Sequence, residues 1–241
     1  MTTRLAFAVS TLILAALLFA QDKPQQDKPG QDNTPPEGFT ALFNGKDLTG
    51  WQGLPDPRKK LDNPFHAQKL SEEERTKAQQ QADEKMKQHW KVEDGVLAFD
   101  GKGDSLCTIK DFKNFEMYVD WKITPGGDSG IYLRSSPQVQ IWDPNNKAAN
   151  GTGSGGLYNN KKNPDKPLVK ADKPVGEWNT FHIKMVGDKV TVRLNDQLVV
   201  DNVTLENYWD YSKPIFESGN IQLQNHSNPL WFKNIYIKEL P

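Results

Sequence analysis

NFEMYVDWKI, residues 114 to 123, decides the fold. Phe115, Met117, Val119, Trp121 and Ile123 occupy alternate positions, and side chains along a strand alternate between two faces. One face of this segment is therefore wholly apolar and faces a core, while Glu116, Tyr118, Asp120 and Lys122 point the other way. The same reading extends outward along the chain. SGIYLRS (129–135) buries Ile131 and Leu133 and presents Tyr132 and Arg134, and PQVQIWD (137–143) buries Val139 and Ile141 and presents Gln138, Gln140 and Trp142. NIQLQNH (220–226) buries Ile221 and Leu223, presents Gln222 and Gln224, and ends on His226. TFHIKMV (180–186) and KVTVRLN (189–195) form a hairpin across Gly187-Asp188, a favourable two-residue turn, and WFKNIYIKEL (231–240) reads as a last strand.

Short strands separated by Gly, Asn, Asp and Pro run from Gly38 to the C-terminus, which predicts an all-β, two-sheet antiparallel sandwich. The outer face of one sheet is expected to carry Arg, Gln, Glu, Asp, Tyr and Trp together. Such a face suits a sugar, because planar polar groups match hydroxyls and aromatic rings stack on the apolar face of a pyranose. SEEERTKAQQQADEKMKQ (71–88) breaks the strand pattern. It has neither Gly nor Pro, and Ser71 with Glu74 forms a capping box, so it predicts a helix, about residues 70–88, inserted on the surface.

The first twenty residues carry Arg4, an apolar run from Leu5 to Ala20, and small residues before Gln21, the layout of a secretory signal peptide cleaved near Ala20. That predicts a periplasmic or secreted protein with no membrane contact after cleavage. Residues 21–36 are rich in Gln, Asp, Lys and Pro and read as a disordered linker ahead of one domain, 37–241. Thirty Lys and Arg side chains against thirty-one Asp and Glu give no electrostatic footprint for nucleic acid. The single Cys107 allows no intramolecular disulfide, and its apolar neighbours predict a buried, inert thiol.

Read in order, GFTALFNGKDLTGW (38–51), WKVEDGVLAFDGKG (90–103), GGDSGIYLR (126–134), QVQIWD (138–143), VGEWNTF (175–181) and IQLQNHSNPLWFKNI (221–235) resemble the 3-keto-disaccharide hydrolase family. The resemblance implies a jelly-roll sandwich of the concanavalin A-like or laminin-G-like kind. It also implies cleavage of glycosides whose C3 hydroxyl a separate sugar 3-dehydrogenase has already oxidised to a ketone. The C2 proton of such a sugar is α to a carbonyl. A base removes it, the enolate expels the C1 substituent, and water then adds to the unsaturated product.

For the enolate the expectation is Arg134, with a divalent metal ion allowed beside it, since a cation stabilises developing oxyanion charge. For bases or metal ligands the candidates are Glu116, Asp120, Asp128, Asp143 and His226, with Asp143 and His226 favoured for a metal. Glu116 and Asp120 are about 13 Å apart on one strand face, too far to share an ion directly. His226 suits acid or base work because imidazole titrates near neutrality. Asp128, Tyr132, Gln138, Gln140, Trp142, Tyr158 and Gln224 are expected to bind the sugar, and the Gly-rich loop GSGGLYNN (153–160) to act as a flexible lid. The chain departs from the family pattern at Gln138, where many members carry Glu; an amide cannot be a base, which moves that role to Asp143, Glu116 or His226.

Two other readings remain open on sequence. A lectin-like module on the same fold binds sugar without cleaving it. A retaining glycosidase needs two carboxylates about 5 Å apart on one strand, and neither E-x-D-x-E nor E-x-D-x-x-E occurs in this chain. Nothing in the sequence points to a protein partner.

Overall fold

The computed structural model describes residues 32–56, 60 and 62–241. The expected leader, 1–20, and residues 21–31 of the expected linker lie outside the described residues. The rest of that linker is docked rather than free at Asp32 and Asn33. Asn33 and Asn234 exchange backbone-to-side-chain hydrogen bonds of 2.7 and 3.0 Å, and Lys233 Nζ donates to Asp32 Oδ2 at 2.8 Å.

Two antiparallel sheets pack face to face. The eight-stranded sheet runs in the spatial order β11 (Gln197–Thr204), β10 (Lys189–Leu194), β9 (Asn179–Val186), β6 (Asn114–Ile123), β13 (Leu230–Leu240), β4 (Val96–Phe99) and β3 (Trp90–Glu93). Strand β1 (Thr40–Ala41) pairs with Tyr236 and Ile237 of β13. The five-stranded sheet runs β2 (Trp51–Gly53), β5 (Leu106–Thr108), β12 (Gln222–Leu223), β7 (Asp128–Leu133) and β8 (Ser136–Trp142). The alternation read from the sequence holds. Phe115, Met117, Val119 and Trp121 from one sheet and Ile131, Val139, Ile141 and Leu223 from the other lie in one buried cluster. Cys107 is buried, and burial pushes its thiol up to about 12, as an inert cysteine requires.

Because both inner faces meet in that cluster, the two outer faces point in opposite directions. Facing sheets stand about 10 Å apart, so a ligand on one outer face cannot touch the other.

The inserted helix is α2 (Glu72–His89), with the Ser71–Glu74 capping box formed. A short helix, α1 (Pro64–Ala67), capped by Asn63, precedes it. Helix α2 buries only Ala82 and Met86, but it is clamped to the sheet edge. Asp83 Oδ1 accepts from Gly53 N at 2.9 Å, and Gln79 Nε2 donates to Gly53 O at 2.8 Å. A Cβ at position 53 would lie 2.2 Å from Ala82 O, so only glycine permits this approach.

Candidate functional site

The outer face of the five-stranded sheet collects most of the expected sugar-binding side chains in three rows. Directly opposed residues of an antiparallel pair share a face. Asp128 pairs with Trp142, and Gly130 pairs with Gln140. Tyr132 pairs with Gln222, which pairs with Cys107, which pairs with Gln52. Gln224 joins the middle row through its N–H, which donates to Gly130 O at 2.9 Å.

Loops roof this face, so its side chains are buried although they point away from the core. Gln140 is 2% exposed and Gln138 5%, which makes their polar atoms costly to leave unpaired. Gln140 Nε2 donates to Asp128 Oδ1 at 2.8 Å and to Ser129 O at 3.0 Å, and Gln140 Oε1 accepts from Gln138 Nε2. Gln224 Nε2 donates to the Tyr132 hydroxyl at 3.3 Å. The side-chain oxygens of Gln138 and Gln224 find no partner within the protein. They are acceptors set for a ligand that brings hydroxyl donors.

Asp128 is the carboxylate of this face. Burial raises it above the usual aspartate range, against the lowering effect of His226, whose Nδ1 is 3.8 Å from Asp128 Oδ2. Tyr132 lies four residues further along the same strand, on the same face. Burial pushes that phenol well up, and the charges of Asp62 and Tyr208 add to the effect, so the hydroxyl keeps its proton at neutral pH.

The ends of the face open into clefts. Trp142 and Tyr158, edge to face with centroids 5.1 Å apart, wall a cleft of about 230 Å³ beside Gln140. Its rim is the Gly-rich loop, and that loop is not a flexible lid. Gly155 N and Gly156 O exchange hydrogen bonds with the backbone of Gln140, and Ser154 N is held by both oxygens of Asp172. Glu206 accepts from the N–H groups of Lys161, Lys162 and Asn163 just beyond it.

Four expected site residues stand elsewhere. Glu116 and Asp120 lie on the outer face of the eight-stranded sheet, on the opposite side of the sandwich. Glu116 Oε1 is bonded to His182 Nε2 at 2.6 Å, and Asp120 accepts from Thr180 Oγ1 at 2.6 Å and Asn234 Nδ2 at 2.7 Å. The polar residues expected on one face are thus divided between two. Arg134 is 2% exposed and does not reach the sugar face. It and Ser135 form the β7–β8 turn with φ of 52° and 60°, and the register shifts after Ile131. Alternation ends there, and the guanidinium turns inward to Phe216 O at 3.2 Å and Asn114 Oδ1 at 3.1 Å.

Asp143 pins a loop. Its carboxyl accepts from Gly126 N at 2.9 Å and Asn145 N at 2.8 Å. Burial pushes it up, but these bonds outweigh burial and hold it below the usual range. Among the described residues no three His, Cys, Asp or Glu side chains converge as metal ligands. The donors expected for a metal ion, Asp143 and His226, do not fit one as they stand.

Sequence reading missed Asp62, Tyr208 and Gln52. Asp62 and Gln52 line a second cleft of about 310 Å³ at the opposite end of the face, with Ser135, Asn220 and Gln222. Asp62 and Tyr208 sit in irregular segments with no period to place them, whereas the strand alternation through Trp51 offered a signal for Gln52.

A family model described as a 3-keto-alpha-glucoside-1,2-lyase-like domain matches residues 38–238. A curated protein of Bacteroides thetaiotaomicron named 3-keto-disaccharide hydrolase is 25% identical over 261 residues, taking in 85% of this chain and 79% of that protein. A solved structure described as a candidate glycosyl hydrolase from Parabacteroides distasonis superposes with a TM-score of 0.62 at 25% identity, covering 96% of this chain and all (100%) of that one. A second from the same organism gives 0.62 at 23%, covering 88% and 100%, a likeness of fold.

Proposed function

The chain belongs to the 3-keto-alpha-glucoside-1,2-lyase-like family, and from that premise we propose that it cleaves 3-keto-glycosides on the outer face of its five-stranded sheet. The observation that carries this reading is Asp128. It is a carboxyl raised by burial, beside an imidazole and on the same strand face as a neutral phenol, among buried amides.

Each group has a task that its environment supports. The Asp128 carboxylate takes the C2 proton, and the electron pair of that bond moves to the C3 oxygen as an enolate. A raised carboxyl is a stronger base than an ordinary one, as proton abstraction next to a ketone needs. Tyr132 accepts from Gln224 and has its own O–H left to donate to the enolate oxygen, a fixed donor in a water-poor site. When the enolate collapses, C3 regains its double bond, a C1–C2 double bond forms and the C1–O bond breaks. Protonated His226, more exposed than the rest, gives its proton to the leaving oxygen. Water adding at C1, with a proton returning to C2, completes hydrolysis. The oxygens of Gln138 and Gln224 accept sugar hydroxyls, and Trp142 with Tyr158 walls the ring.

The substrate presupposes a separate sugar 3-dehydrogenase. We place the protein outside the cytoplasm on the strength of the apolar run 5–20.

The test is aglycon release from matched 3-keto and unoxidised nitrophenyl glucosides, with and without chelator. Release from the keto substrate alone supports the reading. Release from both points to a conventional glycosidase, and saturable sugar binding without release points to a lectin-like module. Loss of activity on chelation would bring a metal ion back into the site.

A further inference from the structure

We propose that the cleft between the α1–α2 insertion and the sheet receives a sugar carried on C4 of the keto ring, so that the protein accepts a 3-keto residue inside a chain as well as at its end. This rests on the reaction assigned to the same face, and it concerns the side of the ring that is retained rather than the group expelled.

The position follows from ring geometry. In that reaction C1 lies at the His226 end of the face, where the leaving oxygen is protonated, with C2 at Asp128 and C3 at Tyr132. C4 stands across the ring from C1, so a substituent on it points away from His226 and past Tyr132. The cleft, about 310 Å³, begins there. Gln222 pairs with Tyr132, and Cys107 and Gln52 continue the row along its floor. Neighbouring strands are about 4.8 Å apart, so a group on C4 reaches Gln222 without crossing the face. A C4 hydroxyl alone would leave most of this space empty, whereas its volume is that of a small-ligand pocket. The far wall is fixed, because helix α2 is locked to Gly53 through Gln79 and Asp83.

The chemistry of the cleft selects a neutral ring edged with hydroxyls. Gln222 is 1% exposed, and its Oε1 has no partner within the protein. Asn220 Oδ1 accepts from Gln222 Nε2 at 2.8 Å and from Ser135 Oγ at 2.9 Å, which fixes the Gln222 amide and leaves its oxygen to the cleft. An orphaned buried acceptor costs free energy until a donor reaches it. Asp62 on the facing wall is a second acceptor, and Leu54, Pro64 and Ala67 offer apolar contact to the C–H edges of a ring. An anionic group is opposed by Asp62 and Asp111, which outnumber Arg75 in the lining, and Arg75 Nη1 already donates to Leu70 O at 3.1 Å.

The experiment measures kcat/KM on nitrophenyl 3-keto-glucoside and on the same compound bearing a second glucose on O4 of the keto ring, α- or β-linked. The leaving group is identical throughout, so only the C4 side differs. The wild type is expected to favour one extended substrate at least tenfold, chiefly through KM, and Gln222→Ala to shrink that preference at least threefold. Asp62→Asn takes its place should Gln222→Ala melt early. A smaller preference in the wild type, or a smaller reduction in the folded variant, would overturn the subsite. Should the wild type turn over no keto substrate, titration of methyl maltoside, methyl cellobioside and methyl glucoside decides instead. Tighter binding of a disaccharide than of the glucoside, weakened at least threefold in the variant, supports the subsite without the reaction. Equal binding, or a variant that binds like the wild type, overturns it.

Discussion

His226 Nδ1 stands 3.8 Å from Asp128 Oδ2, an imidazole with 60% of its side chain exposed against a carboxyl with 16% exposed. Burial penalises the charged carboxylate and so makes Asp128 a stronger base than an exposed aspartate. With Asp128 as base, kcat/KM on a 3-keto-glucoside rises as the carboxyl ionises. That acid limb is expected above the ordinary aspartate value of about 4, because burial raises Asp128. Asp128→Asn should cost at least about a hundredfold, the usual range for a lost general base, and abolish the limb. Stability responds to pH with the opposite sign. With the folded value above the unfolded one, the stability tied to protonated Asp128 is full below the unfolded value and is lost as pH rises through the folded one. Asp128→Asn should therefore melt no lower than the wild type at neutral pH. A variant with full rate and an intact acid limb would remove Asp128 from the mechanism.

Glu116 and Asp120 give the opposite outcome. Both sit on the far sheet, bonded to His182 and to Thr180 with Asn234. Glu116→Gln should leave kcat/KM within about twofold of wild type, a change of under about 0.5 kcal/mol. Asp120→Asn can keep its oxygen on the Asn234 N–H and turn its amide N–H to the Thr180 hydroxyl, which accepts as well as donates. What is lost is the extra strength of bonds to a charged acceptor, so the cost should be about 1 kcal/mol of stability. Urea melts and steady-state rates read the two effects separately, and a hundredfold rate loss in either variant would return it to the site.

Arg134→Ala tests the same separation within the hairpin. The guanidinium ties the β7–β8 turn to Phe216 O and to Asn114, and Asn114 Oδ1 also accepts from Gly187 N at 2.9 Å. Its removal should destabilise the protein by about 2 kcal/mol, typical of lost bonds to a charged group, while the folded fraction keeps its rate. Arg134→Lys should recover little of the loss, because one ammonium cannot reproduce the planar fork. A rate loss at full folding would place the guanidinium at the enolate after all.

These contrasts mark what the sequence made legible. Strand identity and the buried set followed from period two, which depends only on local residues, and the alternation of β6, β8 and β12 stands as read. Which sheet a polar face belongs to depends on pairing partners distant in the chain, so Glu116 and Gln140 looked equivalent. Arg134 was misplaced because its left-handed turn ends the alternation used to place it. The loop at 153–160 looked free because its anchors, the Gln140 backbone and Asp172, are tertiary contacts. Asp62 and Tyr208 reach the face from irregular segments, where no periodicity assigns a direction.

Gly130 offers the last test, because its lack of a side chain is what lets the Gln138 amide lie across the face. A Cβ there would stand 2.8 Å from Gln138 Cδ and 2.9 Å from its Oε1, the free end of a side chain rather than backbone. Gly130→Ala should therefore shift the amide instead of breaking the strand. The orphaned Gln138 oxygen is one of the acceptors assigned to the sugar, so KM for the 3-keto substrate should rise about tenfold, equivalent to about 1.4 kcal/mol. Ala is also the better strand residue by backbone entropy, so the melting temperature should stay within a few degrees of wild type. Unchanged KM in a folded Gly130→Ala protein would mean that Gln138 does not contact the substrate.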